Sequence, residues 1–165
     1  RFTADDNSSS TVAAIAAVLS QLEPRPSFVA LNEVDLNKQP GALSALARQL
    51  GMGVEFFGHV RGKEGFERYG NAILSHYECT GREQRVHLEG GTVVGGGYRI
   101  HRGMLAVEYT VPMAGGGSGS GGDDVLHLTV ACTHLDHITE AERQTQLRHI
   151  VRSLSGGERA AVLLG

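Results

Sequence analysis

Tryptophan is absent, cysteine occurs twice and proline four times in 165 residues. The two thiols, Cys79 and Cys132, stand far apart, with neither a Cys-x-x-Cys pair nor a paired framework. That pattern points to buried, reduced thiols rather than a secreted disulfide scaffold. It leans toward an intracellular setting and leaves the compartment open. No apolar run approaches the roughly 18 residues that a membrane-crossing helix requires, so no helical span is expected. Charge of one sign is also scarce: 15 Lys and Arg against 18 Asp and Glu leave a formal net charge of -3. So small a surplus attracts no polyanion from a distance and argues against a non-specific nucleic-acid wrapper. A local phosphate groove built from Arg82, Arg85, Arg99 and Arg102 stays open. Hydrophobic residues make up 41 % of the chain, enough for one sizeable core and hence for a single domain or part of one.

The chain starts at Arg1, without an initiator Met, and stops at Gly165 directly after Ala161-Val162-Leu163-Leu164. A short apolar run closing on Gly reads as a buried strand whose carboxyl end opens onto a site. The expectation is therefore residues 1–165 as one incomplete domain, cut at both ends.

Along the chain, Ser10 or Thr11 reads as the N-cap of a first helix with Val12, Ile15, Val18, Leu19 and Leu22 on its apolar stripe, ended by Pro24 and Pro26. Residues 27–31 form a compact strand running out into Asn32-Glu33-Val34-Asp35. A second helix is expected over 40–50, with Leu43, Leu46 and Leu50 inward and Gly51 as its stop. Strands follow at 54–57, 72–75, 85–88, 104–111 and 125–131, the last two as a hairpin. Their connection, residues 114–123, is a low-complexity Gly/Ser loop expected to be mobile. It lacks the strand-to-helix setting and the Lys-Ser/Thr of a phosphate-binding loop. Thr139-Glu140-Ala141-Glu142 fits a capping box that opens a third helix. Ala141, Leu147, Ile150, Val151 and Leu154 would form its inner face before Gly156-Gly157. A final strand covers 160–164. Alternating helices and strands give an α/β class, with mixed or mostly antiparallel strands flanked by helices.

Several polar residues sit where strands emerge. Glu33 at a strand end suits a hard divalent ion, which asks for one or two carboxylates on rigid backbone; capping a helix or meeting an Arg is the plainer alternative. Asn71 in Tyr69-Gly70-Asn71 offers an amide to a phosphate oxygen or simply makes a turn. Tyr69 is a stacking surface or a half-buried ring. Arg102 could clamp a phosphate bidentately or make a surface ion pair. In Cys132-Thr133-His134-Leu135-Asp136-His137, His134 could donate to a phosphate as charge builds on its oxygens, oriented by Asp136. A second reading makes His134, Asp136 and His137 zinc ligands, resembling the His-x-His-x-Asp-His run of metallo-β-lactamases, although that run's first His falls on Cys132.

Taken in order, Phe28-Val29-Ala30-Leu31-Asn32-Glu33-Val34-Asp35, Tyr69-Gly70-Asn71-Ala72-Ile73-Leu74-Ser75, Arg102-Gly103-Met104-Leu105, Thr133-His134-Leu135-Asp136, and Arg143 with Gln146 resemble the endonuclease/exonuclease/phosphatase family of metal-dependent phosphodiesterases. The closing Ala161-Val162-Leu163-Leu164-Gly165 matches the strand before that family's Gly-Asp-x-Asn. Asn32 departs from its usual Gln. The resemblance implies a two-sheet α/β sandwich of the deoxyribonuclease type with the site at one end. It implies Glu33 as the ligand of Mg²⁺, or of Mn²⁺ in its place, His134 and Asn71 as catalytic groups, and Arg102 and Tyr69 beside the substrate phosphate. The family's Asp-x-Asn and Ser-Asp-His segments would lie beyond Gly165, so residues 1–165 alone are expected to be inactive. The implied partners are a phosphate-ester substrate, nucleic acid among the candidates, or protein partners if the chain is a scaffold subunit in an assembly.

Overall fold

A computed structural model of the chain describes residues 8–59, 68–91, 93–94, 97–99, 101–113, 125–155 and 160–165. The Gly/Ser loop expected at 114–123 lies outside the described residues. The elements in order are α1 (Ser8–Ser20), β1 (Phe28–Asp35), α2 (Ala42–Leu50), β2 (Gly53–Gly58), β3 (Tyr69–Ser75), β4 (Cys79–His87), β5 (Val93–Val94), β6 (Tyr98–Arg99), β7 (Gly103–Pro112), β8 (Val125–Thr133), α3 (Glu140–Leu154) and β9 (Ala160–Leu164).

Three strands pair in the order β1-β3-β2 and four in the order β4-β7-β8-β9; a short β5-β6 ribbon stands apart. All pairings are antiparallel except β8 with β9, which α3 joins as a parallel crossover. The expected hairpin forms, with Met104 opposite Thr133 and Pro112 opposite Val125.

Side-chain alternation along the strands builds four layers. On β3, Ala72 and Leu74 face outward under the first two helices, where Val12, Ala16, Leu43, Leu46 and Ala47 cover them. Ile73 faces inward and meets Leu105, Val107, Val130 and Cys132 of the second sheet. On the far side, Met104, Ala106 and Ala131 pack against Ile150 of α3. The order is helices, sheet, sheet, helix. Full burial of a side chain such as Leu46 contributes about 1.5–3 kcal/mol, and the apolar layer between the sheets fixes how their ends align.

Helix α2 follows its pattern. It ends on Gly51 in the left-handed conformation (φ 66°), whose N–H closes on the Ala47 and Arg48 carbonyls, as a glycine C-cap requires. Helix α1 differs from expectation. It already runs from Ser8, so Ser10 and Thr11 lie inside it rather than capping it. Its buried positions are Val12 and Ala16, with Ile15 against them, whereas Val18 and Leu22 are exposed. Small Ala16 permits a closer approach than the bulkier stripe predicted.

In α3 the Thr139 hydroxyl accepts the Glu142 N–H, the expected half of a capping box. The other half is diverted: the Thr139 N–H goes to Asp136 Oδ1, and Glu142 Oε2 accepts from the Gly91 N–H. The inner face also turns. Gln146 and Ile150 are buried, while Ala141, Leu147 and Val151 are exposed.

Candidate active site

Strand β1 does not stop at Leu31, as expected, but continues to Asp35 through a bulge. Leu31 pairs with Ala72 and Val34 with Gly70, so Asn32 and Glu33 together stand opposite the single residue Asn71. Two-for-one pairing of this kind bends a strand and re-aims a side chain. Glu33 carries the turn with φ 58°, the sole positive φ at a non-glycine residue among those described. For an L-residue with a long side chain this conformation costs about 1–2 kcal/mol. Without the extra residue, Glu33 would point into the layer under α1 and α2. With it, Val34 fills that layer and Glu33 is released to the mouth between the sheets.

His134, one residue past β8, arrives at the same mouth. Its Nδ1 lies 3.9 Å from Glu33 Oε1, and both side chains are about one-third exposed. Burial lowers the pKa of His134, the Arg102 charge lowers it further, and Glu33 opposes both. The ring is therefore neutral near pH 7 and meets the carboxylate as a dipole more than as an ion pair.

Beneath these two lies a buried polar floor. Asn71 Nδ2 donates to Gly103 O over 2.9 Å, and Thr133 Oγ1 donates to the same carbonyl over 3.1 Å. A carbonyl only accepts, so this contact fixes the orientation of the amide, and the buried Asn71 Oδ1 is turned toward the His59 ring, whose charged form it favours. That oxygen is an acceptor, the type of atom that suits a water proton or a hard cation. Gly103 makes this floor possible, because a Cβ there would run into the His59 side chain.

Arg102 does not sit on the surface, and it makes no ion pair among the described residues. It is 4 % exposed; its Nη2 donates to His137 Nδ1 over 2.9 Å, and its Nε has no partner among the described residues. A guanidinium is always a donor, so His137 is held as the tautomer with its proton on Nε2. Tyr69 shares the face of β3 that carries Asn71 and lies opposite Asp35 at the rim.

The loop carrying His134 is braced from α3. Gln146 Oε1 accepts the buried Asp136 N–H over 2.8 Å, and Arg143 Nη1 donates to Asp136 O. Asp136 itself is buried, with Oδ1 accepting from the Ile138 and Thr139 N–H groups. With Asp136 used as a turn cap and His137 Nδ1 turned to Arg102, the zinc arrangement of His134, Asp136 and His137 is not formed. No three of the described His, Cys, Asp and Glu residues gather closely enough to hold a metal by themselves.

Three of the four arginines that could line a phosphate groove are engaged elsewhere. Arg85 is bonded to Glu83, Arg82 lies 4.0 Å from Glu108, and Arg102 is internal; the Arg99 side chain falls outside the described residues.

Compared with known proteins, no family model matches the chain, and no curated protein matches it in sequence. Solved structures do match. An endonuclease/exonuclease/phosphatase family protein from Leptotrichia buccalis C-1013-b superposes with a TM-score of 0.63 at 11 % identity, over 98 % of this chain and 61 % of that one. An endonuclease/exonuclease/phosphatase from Beutenbergia cavernae DSM 12333 gives 0.60 at 24 % identity, over 93 % and 41 %. ANGEL2, a 2′,3′-cyclic phosphatase, gives 0.59 at 15 % identity, over 89 % and 37 %.

The fold is that of the endonuclease/exonuclease/phosphatase proteins.

The chain spans about half the length of such structures. Within this endonuclease/exonuclease/phosphatase fold, the resemblance read from the motifs holds at the level of architecture, and Glu33, Asn71 and His134 meet at one end of the sandwich.

Two further residues take part: one that the sequence reading missed and one that it expected only as a buried thiol. His59, just after β2, is buried, and its Nδ1–H donates to His101 O over 3.2 Å. Burial lowers its pKa to about 4, with the Arg102 charge acting in the same direction. A lone His after Gly58 carries no pattern that would mark it. Cys132 is the second. Its thiol, pushed up to about 12 by burial, donates to Asn32 Oδ1 over 3.2 Å. Both cysteines are free, as expected, although only Cys132 is fully buried.

Proposed function

We propose that the protein is a Mg²⁺-dependent phosphoric ester hydrolase, cleaving a P–O bond by in-line attack of water, with this chain supplying one wall of the site. The observation that carries the reading is the 3.9 Å approach of His134 to Glu33 above a floor of buried polar groups. A strained carboxylate and a neutral imidazole brought together by a bulge form a costly arrangement that core packing does not need.

The donor set fits the metal. Mg²⁺ keeps several waters and takes one or two carboxylates, and Glu33 supplies one anionic oxygen donor, with the buried Asn71 Oδ1 as a second hard oxygen. Mn²⁺ would suit the same atoms. When bound, the cation would neutralise charge on the phosphate.

The chain's own residues would do the rest. His134, neutral at working pH, would donate its N–H to a phosphate oxygen as negative charge develops there. Asn71 would hold a water through Oδ1. Arg102 would act from below, through its charge and through His137, while Tyr69 would line the rim. ANGEL2, of the same fold, is described as a 2′,3′-cyclic phosphatase, so a cyclic or linear phosphodiester belongs in the substrate screen beside RNA, abasic DNA, sphingomyelin and inositol phosphates.

The test is a Mg²⁺-dependent hydrolysis screen of the whole protein with Glu33→Gln and His134→Ala as controls. Removing His134 should lower kcat by about 10²- to 10⁴-fold, the usual worth of a positioned proton donor or acceptor. Glu33→Gln should also weaken Mn²⁺ binding, read by electron paramagnetic resonance. Full activity in either variant would end this reading.

A further inference from the structure

A second cleft opens at the other end of the sandwich. Tyr109 pairs with Cys79 and Met104 with Thr133, so the two ends lie five residues apart along β7, about 17 Å at strand rise. The cleft has a volume of about 370 Å³, and its walls include Glu55, Ser75, His76, Tyr77, Cys79 and Tyr109. That volume falls within the range of small-molecule sites, roughly 300–1,000 Å³.

Two side chains there break the rules of the layer they belong to. On β2, Val54 and Phe56 pack under α2 and Phe57 packs between the sheets; alternation therefore sends Glu55 inward, where an apolar residue is due. Arg85, the cation whose charge reaches it, is already used, donating through Nε and Nη2 to Glu83 over 2.6 and 3.2 Å. Glu55 has no hydrogen bond or ion pair of its own among the described residues. Burial, then the Glu83 charge, raise its pKa, the mark of a carboxylate short of a counter-charge.

Tyr109 is the second. It is 2 % exposed and wedged edge-on against Phe28 at 5.1 Å between ring centroids. Its hydroxyl nevertheless faces the cleft with no hydrogen bond among the described residues. The ring is enclosed, and its oxygen is left for whatever occupies the cleft. The cleft itself exists because β4 loses register with β7 between Cys79 and Glu83, where Gly81 takes φ 83° and its N–H bonds to Cys79 Sγ.

We infer that this cleft binds a compact organic cation, a primary ammonium on a short apolar stem, with the charge on the Glu55 carboxylate, a hydrogen bond to the Tyr109 hydroxyl and the stem along the Tyr77 ring. The excess of acid on these walls selects a cation. The Tyr77 and Tyr109 rings in these walls favour an organic ammonium, by cation–π attraction and by apolar contact with its stem. An inward acid on an edge strand also deters sheet-to-sheet pairing, but that role does not call for a cleft of this size beside it.

The experiment is an NMR titration of the ¹⁵N-labelled whole protein with benzylammonium, with a lysine capped at both ends, and with benzyl alcohol as the neutral control. Saturable shifts at the amides of Glu55, Cys79 and Tyr109 are expected with benzylammonium and not with the alcohol. Glu55→Gln should weaken that binding by about tenfold or more, equivalent to roughly 1.4 kcal/mol; Tyr109→Phe, which removes one oxygen, should weaken it less. Equal shifts from the capped lysine would make a protein side chain the source of the cation, whereas shifts from benzylammonium alone would make it a free amine. Protection of Cys79 from alkylation by the probe gives a measurement that requires no variant. Absence of saturation, equal response to the alcohol, or unchanged affinity in Glu55→Gln would overturn the inference. A Glu55→Gln protein that dimerises while the parent binds no cation would assign the acid to edge protection.

Discussion

The layer under α1 and α2 and the layer around α3 are built on opposite terms. The first is mainly apolar, with Val12, Leu43, Leu46, Ala47 and Leu74 buried and Gln39, at the start of α2, as its polar exception. The second, with the mouth it supports, buries Gln146, Asp136, Thr133, Arg102, Asn71 and His59, while Leu147 and Val151 of α3 stay outside. Burying a polar group without its hydrogen bond costs about 1–3 kcal/mol, so a region that does this repeatedly is shaped by something other than stability. One layer holds the sandwich together; the other holds a loop and a set of charges in place.

The contrast is open to measurement. The largest effect should come from Leu46→Ala on the apolar side, about 2–5 kcal/mol of unfolding free energy by urea denaturation, because the side chain is fully buried. The matching change on the other helix, Leu147→Ala, should stay within about 0.5 kcal/mol. Equal losses would mean that α3 packs by its apolar stripe after all.

Next comes acid sensitivity on the polar side. His59 has a folded pKa of about 4 against 6.5. The neutral ring is the native form, so its stabilisation is complete above the unfolded value and is lost as pH falls from 6.5 toward 4. One ring with this shift contributes about 3 kcal/mol across that window, and the lowered value of His134 adds to the same slope. Urea unfolding from pH 7 to pH 4 should show a shallower slope in His59→Gln than in the parent; superimposable slopes would remove His59 from the account.

The smallest effect is the most specific. Gln146→Ala should cost about 1–3 kcal/mol, since it strands the buried Asp136 N–H. It should also loosen His134, visible as faster amide exchange over 134–138. A stability loss without that exchange signature would make Gln146 a packing residue only.

Legibility from sequence divides along the same line. Leu43, Leu46 and Gly51 could be read directly because amphipathic spacing and a glycine stop determine α2. The inner face of α3 could not, because the choice between Leu147 and Gln146 is decided by a hydrogen bond to a backbone ten residues earlier. Glu33 and His134 were found through motif order. That they meet depends on a bulge, which leaves no mark in the alternation of Leu31, Asn32, Glu33 and Val34 until the partner strand is known. Arg102 was found too, but whether it points to solvent or inward is set by His137 and the space left beside Gly103, both remote from its own neighbours.

The left-handed backbone at position 33 has a practical corollary for anyone improving this protein by laboratory selection. A library screened for heat resistance alone would favour Gly or Asn there, because those residues adopt the turn with less strain. The survivors would be enriched in sturdy molecules stripped of the carboxylate, so selection at this codon should be coupled to metal binding from the first round.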